Sequence, residues 1–565
     1  MVFRVLQIYA GTEQPWGIRN KNMKVNFKEI ESKFTPDKDG HCTIAEDGMI
    51  ATQSAYATEI GKQMLKMNGN AVDAAVAAAL ALGVSEPQAS GIGGQSMILL
   101  GNGKKVLSID GSSRAPSLAH ATAIYKDDRS IGYRATTVPS TLATMWYTHK
   151  TYGKLDWKKI IDPIINLAEE GYPITALQEK LQTREVENFD KVPSQSGKKY
   201  FFKNGNPYKE GELFHQSDLA DLYRNIYENG ISDFYKGKIA KKIDADMREN
   251  GGLLRYDDMA LIPNPIEREP VAGKFRGLDV FSMPPPGAGV TFLYALRMLD
   301  FIPKDFKIKD ENTLYHIVIN IIRKAFLERS DRPYDPNYFA QISDNAKMLD
   351  DEFAHKSIHE IITDVDKRIL PVIPSADELS GETSHLSVID KHGMAVSLTQ
   401  SIERVYGSKA AADGLGFLYN NYLYDFDYDK PEHPYYIRPN ANPWATVSPS
   451  LIYNKSKIWM SLGSPGSERI VPTLLLFLLR IIDRNYSIDE AMKGPRIHCS
   501  LGGKVSLEAG RFSETLIQYL KDHEYRIDRR EDYAFYLGCI QAVIKKQSSP
   551  GFQGVADIRR DGKAL

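Results

Sequence analysis

Two hydroxyls are brought into register by one short stretch of this sequence. Thr383-Ser-His-Leu-Ser-Val-Ile-Asp-Lys-His-Gly-Met-Ala-Val-Ser-Leu-Thr-Gln-Ser401 contains two alternating runs that flank Lys391-His392-Gly393. A three-residue loop ending in Gly suits a type I turn followed by a left-handed residue. With that loop Asp390 pairs with Met394, and counting outward in step brings Thr383 opposite Ser401. Opposed residues share a face of the sheet with Cβ atoms about 4.5–5.5 Å apart. The hydroxyls of Thr383 and Ser401 therefore meet at the open end of the hairpin. Taken alone, the pairing also fits an ordinary solvent-facing Thr–Ser pair, and that plainer reading is the commoner one.

A second feature lies downstream. Gly463-Ser-Pro-Gly-Ser-Glu-Arg-Ile-Val-Pro472 leads from a strand-like run into a strongly apolar helix. The N–H groups at a helix entry have no partner within the helix and carry partial positive charge. Gly466 and Ser467 are thus placed to offer two donors to a developing oxyanion. A tight strand-to-helix turn with glycine at a strained position explains the same residues without chemistry.

These pieces need elements to hold them. Residues 71–82 (AVDAAVAAALAL) are Ala-rich with one polar residue and predict a helix buried on most faces. A Gly-rich run, Ser90-Gly-Ile-Gly-Gly-Gln, precedes strand-like segments at 97–100 and 105–109. From about 140 to 365 the pattern is mainly helical, most clearly at 155–170 and 312–329, with Pro284-Pro-Pro-Gly-Ala-Gly as a turn. After about 383 strands are expected at 385–390, 394–400, 451–453, 458–462, 504–508 and 539–544, with a helix over 472–482. Residues 1–45 read as a peripheral lead-in, and 370–384 as a polar, turn-rich loop of the kind that is cut. The expected class is α+β, with sheets covered by helices.

Composition narrows the function. The chain has 565 residues, with 71 Lys plus Arg against 72 Asp plus Glu and a net charge of -1, so neither a nucleic-acid scaffold nor a polybasic membrane binder is the default. Its three cysteines, Cys42, Cys499 and Cys539, are widely spaced, which excludes a disulfide framework and CxxC-type metal or redox sites. No apolar run approaches the roughly 20 residues that span a bilayer, and the first ten residues make a poor signal peptide, so a cytoplasmic location is expected. Gly463-Ser-Pro-Gly is not a G-x-S-x-G nucleophile elbow. His355 and His359 lack the HExxH order and read as a polar helix face, and Gly91-Ile-Gly-Gly lacks the ending of a phosphate loop.

Several ordered segments together resemble the gamma-glutamyltransferase family of N-terminal-nucleophile hydrolases. They are Asn68-Gly-Asn-Ala-Val-Asp with the Ala-rich run, Glu86-Pro, Ser90-Gly-Ile-Gly-Gly, Thr137-Val-Pro-Ser, Tyr152-Gly-Lys-Leu-Asp-Trp, Met283-Pro-Pro-Pro and Asp331-Arg-Pro-Tyr-Asp-Pro. Thr383-Ser-His-Leu-Ser-Val, Gly407-Ser, Asn420-Asn421, Gly463-Ser-Pro-Gly and Ala556-Asp-Ile-Arg-Arg-Asp-Gly complete the series. The resemblance implies a four-layer αββα sandwich with a mainly helical portion in the large segment. It also implies self-cleavage before Thr383, giving interwoven segments 1–382 and 383–565 that stay together as a heterodimer. Thr383 would be the nucleophile, its freed α-amine the base, Ser401 the second hydroxyl, Gly466 and Ser467 the oxyanion donors and Asp425 the carboxylate that holds a substrate amine. The substrate would be a small amide or peptide, with transfer to water or an amine, and no metal or cofactor takes part.

The residues expected to set specificity depart from the family pattern. The position of the carboxylate-binding Arg is Ser112, with Arg114 two residues on as a candidate substitute. Tyr422 stands where the family has Gln or Glu, Glu403 where it has Asn, and of two paired serines the first is Ala445 while Thr446 keeps a hydroxyl. A hydrogen bond to a charged partner is worth roughly 1.5–3 kcal/mol, so losing the Arg contact weakens glutamyl binding about tenfold or more. Residues 426–444 are also short for a lid loop, which suggests an open site. These departures resemble the acylase-like branch, so a non-glutamyl amide such as a glutaryl amide is an alternative substrate, and a non-catalytic binding protein an alternative fate.

Overall fold

The computed structural model describes residues 25–302, 311–330, 347–363 and 381–565. Two seven-stranded sheets, each paired antiparallel throughout, organise these residues. The first sheet runs in spatial order Lys563–Ala564, Gly48–Thr52, Gly381–Asp390, Ala395–Arg404, Gln95–Asn102, Lys105–Gly111 and Ile266–Arg268. The second runs Cys42–Ala45, Phe552–Ala556, Gln541–Lys545, Lys457–Gly463, Ser450–Asn454, Leu278–Ser282 and Val271–Phe275. Helices pack against both, which makes a mixed helix-and-sheet fold with strands from before and after residue 383 interleaved.

The Thr383 hairpin occupies the interior of the first sheet, and every residue of Gly381–Asp390 is buried. Side chains alternate between the faces of a strand. Leu386, Val388, Val396 and Leu398 point one way into an apolar cluster with the helix Ala71–Ser85. Each such burial contributes about 1.5–3 kcal/mol. The odd-numbered residues face the second sheet. There Ser397 Oγ donates to the Leu462 carbonyl (2.9 Å), Ser461 Oγ to the Val396 carbonyl (2.8 Å) and Ser387 Oγ to the Gln541 carbonyl (3.0 Å). These serines tie the sheets together while satisfying their own buried hydroxyls.

The Ala-rich helix extends over Ala71–Ser85 and is buried along its whole length. Asn70 starts it, accepting from the Val72 and Asp73 N–H groups, and the Asp73 carboxylate returns to the Asn70 N–H at 2.8 Å. The helices expected at 155–170 and 312–329 are Trp157–Glu170 and Glu311–Ser330. The helix expected at 472–482 begins at Ile470 and ends as a π-turn over Leu479–Asp483. Among the described residues, no helix is long and apolar enough to cross a membrane.

Two expectations need correction and one needs refinement. The block expected to be mainly helical is so among its described residues, but it also contains Ile266–Arg268, Val271–Phe275 and Leu278–Ser282, which supply strands to both sheets. They are short and partly exposed, so their alternation is weak. The lead-in is not peripheral throughout: Cys42–Ala45 pairs with Phe552–Ala556, and buried Glu31 accepts from the Gln547 and Ser548 N–H groups (2.6 and 3.1 Å). The polar loop expected over 370–384 already forms strand from Gly381, and its remainder lies outside the described residues.

Candidate active site

The hairpin register is as expected from Ile389 opposite Ala395 out to Ser384 opposite Gln400. One residue further the pairing shifts, because Glu382 pairs with Glu403. Thr383 therefore faces Ser401 and Ile402 together across a β-bulge, which re-aims the side chains at its edge. Thr383 and Ser401 are both almost fully buried. Ser401 Oγ donates to the carbonyl oxygen of Glu382 at 2.5 Å and accepts from the Glu403 N–H at 2.7 Å. The carbonyl it holds belongs to the peptide bond immediately before Thr383.

The strand beneath is fixed by an imidazole. His385 shares the face of Thr383, with Nδ1 2.8 Å from Thr399 Oγ1 and Nε2 3.2 Å from Ser387 Oγ. Burial pushes its pKa down to about 3, so the ring is neutral. It fits because Gly463 lies against it on the second sheet: a Cβ there would fall 2.1 Å from the ring. On the opposite face Ser384 Oγ donates to Glu86 (2.5 Å) and lies 2.8 Å from Ser90 Oγ.

Gly463 also ends the strand that leads into the apolar helix. The connecting turn is held by Ser464 Oγ, which donates to the Pro465 carbonyl (2.8 Å) and accepts from the Cys539 N–H (3.0 Å). Gly466 has φ +116° and Ser467 φ +52°, so the glycine supplies a left-handed conformation that disfavours other residues. A 3₁₀ turn over Ser467–Arg469 follows, closed by the Arg469 N–H on the Gly466 carbonyl (3.0 Å). The turn abuts the start of the strand Gly381–Asp390 that carries Thr383. A Cβ on Gly381 would lie 2.8 Å from Ser467 Cβ and 3.1 Å from Glu403 Oε1.

Glu403, left-handed at φ +79° beyond the bulge, is hydrogen-bonded through its carboxyl to Asp425. Burial first, and then the charge of Glu403, raise Asp425 well above the usual carboxylate range. Glu403 is raised as well, chiefly by burial, with Arg404 and Arg469 opposing. Burial and mutual repulsion thus both disfavour the charged forms of the two carboxyls. Tyr422, fully buried, starts the short 3₁₀ turn that ends at Asp425. Asn420 anchors this turn, accepting from the Thr137 and Tyr422 N–H groups (3.0 and 3.2 Å) and donating to the Gly93 carbonyl (2.7 Å). Three segments far apart in sequence, at 90–94, 137 and 420–425, therefore converge behind Ser401.

The other site residues lie further out. Ser113 turns inward, with its N–H and Oγ on Gln95 Oε1 (2.8 and 3.1 Å). Ser112 and Arg114 point to the other side and line one small cleft with Asp110 and Asn442, where Arg114 Nη1 donates to the Asn440 carbonyl at 3.2 Å. Thr446 is half-buried, and its carbonyl accepts from Ser448 Oγ (3.3 Å). The preceding Ala445 carbonyl takes the buried guanidinium of Arg329 at 2.5 Å. Away from the site, His355 rests edge-on against Phe301 (ring centroids 5.2 Å).

Sequence reasoning did not single out Gln95, His385, Arg329, Glu382 or Arg560. Arg560 Nη1 bonds to Glu86 (3.0 Å) and Nη2 to Glu382 (2.5 Å), inside the protein. The only signal for that network was the presence of Glu86 and Arg560 in two of the ordered segments.

Comparison with known proteins is consistent with this geometry. The family model described as gamma-glutamyltranspeptidase matches residues 57–565. The glutathione hydrolase proenzyme of Escherichia coli (strain K12) is 32% identical over 502 residues, covering 84% of this chain and 85% of that protein. The acylase ACY 1 proenzyme of Pseudomonas sp. (strain SE83) is 30% identical over 477 residues, covering 82% and 84%. Among solved structures, cephalosporin acylase from Bacillus halodurans superposes with a TM-score of 0.84 at 27% identity, covering 94% of this chain and 97% of that one. With a match that runs from residue 57 to residue 565, this chain belongs to the gamma-glutamyltranspeptidase family.

Proposed function

We propose that the chain cuts itself between Glu382 and Thr383, and that Thr383 then cleaves a gamma-glutamyl or related acyl amide through an acyl-enzyme. The observation that carries this reading is the 2.5 Å hydrogen bond from Ser401 Oγ to the Glu382 carbonyl oxygen. It polarises the one peptide bond whose cleavage frees the Thr383 amine. Thr383 Oγ attacks the Glu382 carbonyl carbon, and the C–N bond breaks as its nitrogen gains a proton. Water then hydrolyses the resulting ester. The products are a Glu382 carboxylate and an N-terminal Thr383, on chains of 382 and 183 residues.

The new α-amine has an ordinary pKa of about 7.7–8.0, so near neutral pH it can take the Thr383 hydroxyl proton. Before the cut it is an amide and cannot. In turnover Thr383 attacks the substrate amide, with the N–H groups of Gly466 and Ser467 as oxyanion donors, and the amine departs. Water or a second amine then takes the acyl group. The two segments stay together as a heterodimer within a four-layer αββα sandwich, an arrangement supported by the serine bridges between the sheets and the apolar clusters on their outer faces.

The Glu403–Asp425 pair supports recognition of a positively charged group on the acyl portion, such as an α-amine, with Tyr422 beside it and Thr446 as a further candidate contact. Ser112, in place of a carboxylate-binding Arg, favours a second reading in which the acyl group is not glutamyl. Arg114 is the candidate to restore that contact, and the match to a cephalosporin acylase supports the second reading. Purified cut enzyme assayed with gamma-glutamyl, glutaryl and 4-aminobutyryl anilides separates the two. A preference for the gamma-glutamyl anilide upholds the first, and a preference for either of the others upholds the second. Turnover of all three by a Thr383→Ala chain would remove the proposal.

A further inference from the structure

The bond to be cut is held from both sides by one guanidinium. Arg560, whose side chain is 0% exposed, reaches the carboxylate of Glu382 with Nη2 and that of Glu86 with Nη1. Glu86 in turn accepts from Ser384 Oγ at 2.5 Å through its other oxygen. The residues immediately before and after Thr383 are thereby joined through Glu86 and Arg560, while the Glu382 main chain is held by Ser401. Arg560 is fixed by the Phe535 ring, 4.2 Å from its guanidinium carbon. A buried glutamate on the acyl side of a scissile bond is costly unless it is paired. Self-cleavage in itself does not require a charge at that position.

We propose that the Glu382 side chain, held by Arg560, is a positioning device for self-cleavage: it fixes the Glu382 carbonyl against Ser401 and within reach of the Thr383 hydroxyl. The inference rests on the proposed cut before Thr383. The planar guanidinium gives one N–H to Glu382 and the other to Glu86, so it fixes the two carboxylates relative to one another and restrains where residue 382 sits. The device acts once. The cut creates an α-carboxylate on Glu382 beside its own side-chain carboxylate and Glu86, so three acidic groups then face one guanidinium. Burial has already pushed the Glu86 pKa up to about 7 against the opposing pull of Arg560. Repulsion between the new α-carboxylate and Glu86, both of which the residue-382 variants keep, then drives the new chain end away from Thr383 and opens the acyl site to substrate.

The test uses the full-length chain with Glu382→Ala and Glu382→Gln beside wild type. Intact mass is followed over time after purification, with melting temperature and turnover per cut chain as further readouts. The expected result is that Glu382→Ala cuts at least tenfold more slowly and Glu382→Gln falls between it and wild type. Once cut, both should turn over substrate at the wild-type rate per chain, because residue 382 then lies on the departed end. A general structural defect would instead lower turnover per cut chain along with cutting. Glu382→Ala cutting within twofold of a wild type that itself cuts would overturn this inference alone. So would loss of turnover in parallel with cutting. A wild-type chain that stays whole would remove the underlying reading and this inference with it.

Discussion

Ser401→Ala offers the sharpest perturbation of the proposed cut. Ser401 Oγ lies 2.5 Å from the Glu382 carbonyl oxygen, in a site where the serine is 2% exposed. When Thr383 attacks, that oxygen becomes an oxyanion, and a donor already aimed at it stabilises the transition state more than the ground state. Removing one such donor costs about 2.7–4 kcal/mol, a factor of roughly 10²–10³ in rate. The substitution also strips the Glu403 N–H of its acceptor, at about 1–3 kcal/mol of stability. Ser401→Thr keeps the hydroxyl and separates the two effects. With intact mass recorded over hours to days, the cut in Ser401→Ala should slow by at least about a hundredfold, while Ser401→Thr recovers part of the rate. Cutting by Ser401→Ala within threefold of wild type would refute the reasoning.

Further predictions follow from neighbouring contacts. Gly463→Ala places a methyl carbon 2.1 Å from the His385 ring, which is pinned by Thr399 and Ser387, so overpacking should cost about 1–3 kcal/mol in thermal melts and slow cutting. An unchanged melting temperature would contradict the close approach of the two sheets. His385 carries a folded-state pKa lowered to about 3, against an unfolded value of about 6.5. Its contribution to stability is fully present above the unfolded value and is lost as pH falls towards the folded one. Between pH 7 and 5 this amounts to about 2 kcal/mol, a slope that His385→Asn should lack when denaturant midpoints are compared. Asp425 is raised by burial and then by Glu403. Glu403→Gln removes that like charge, so the acidic limb of kcat/KM should move to lower pH; a limb that stays put or moves up would show that the pair does not control substrate binding.

How much was legible beforehand follows the range of the forces involved. The hairpin register is local: two alternating runs around Gly393 fix it, and it holds from Ile389 to Ser384. The bulge that ends it was not legible, since it depends on a left-handed Glu403, a conformation that glutamate rarely adopts. The buried helix at 71–85 was announced by its alanines and by Asn70 with Asp73, a cap closed within four residues. Cys42–Ala45 has no such signal, because its pairing partner lies more than 500 residues away. The short strands between 266 and 282 are half-exposed and lie beside Pro263 and Pro265. At the site, the residue types at Thr383, Ser401 and Gly466 were readable from the chain. The contacts from Ser401 to the Glu382 carbonyl, from Arg560 to Glu382 and from Gly463 to His385 join parts of the chain that meet only when folded.

The central claim is that Thr383 becomes an N-terminal nucleophile by self-cleavage. Its most direct test is the intact mass of the purified chain beside a Thr383→Ala control, both incubated at neutral pH. The account predicts two wild-type chains, of 382 and 183 residues with the smaller beginning at Thr383, and a single uncut Thr383→Ala chain. A wild-type chain that remains whole after long incubation, or a Thr383→Ala chain cut at the same bond, would contradict it.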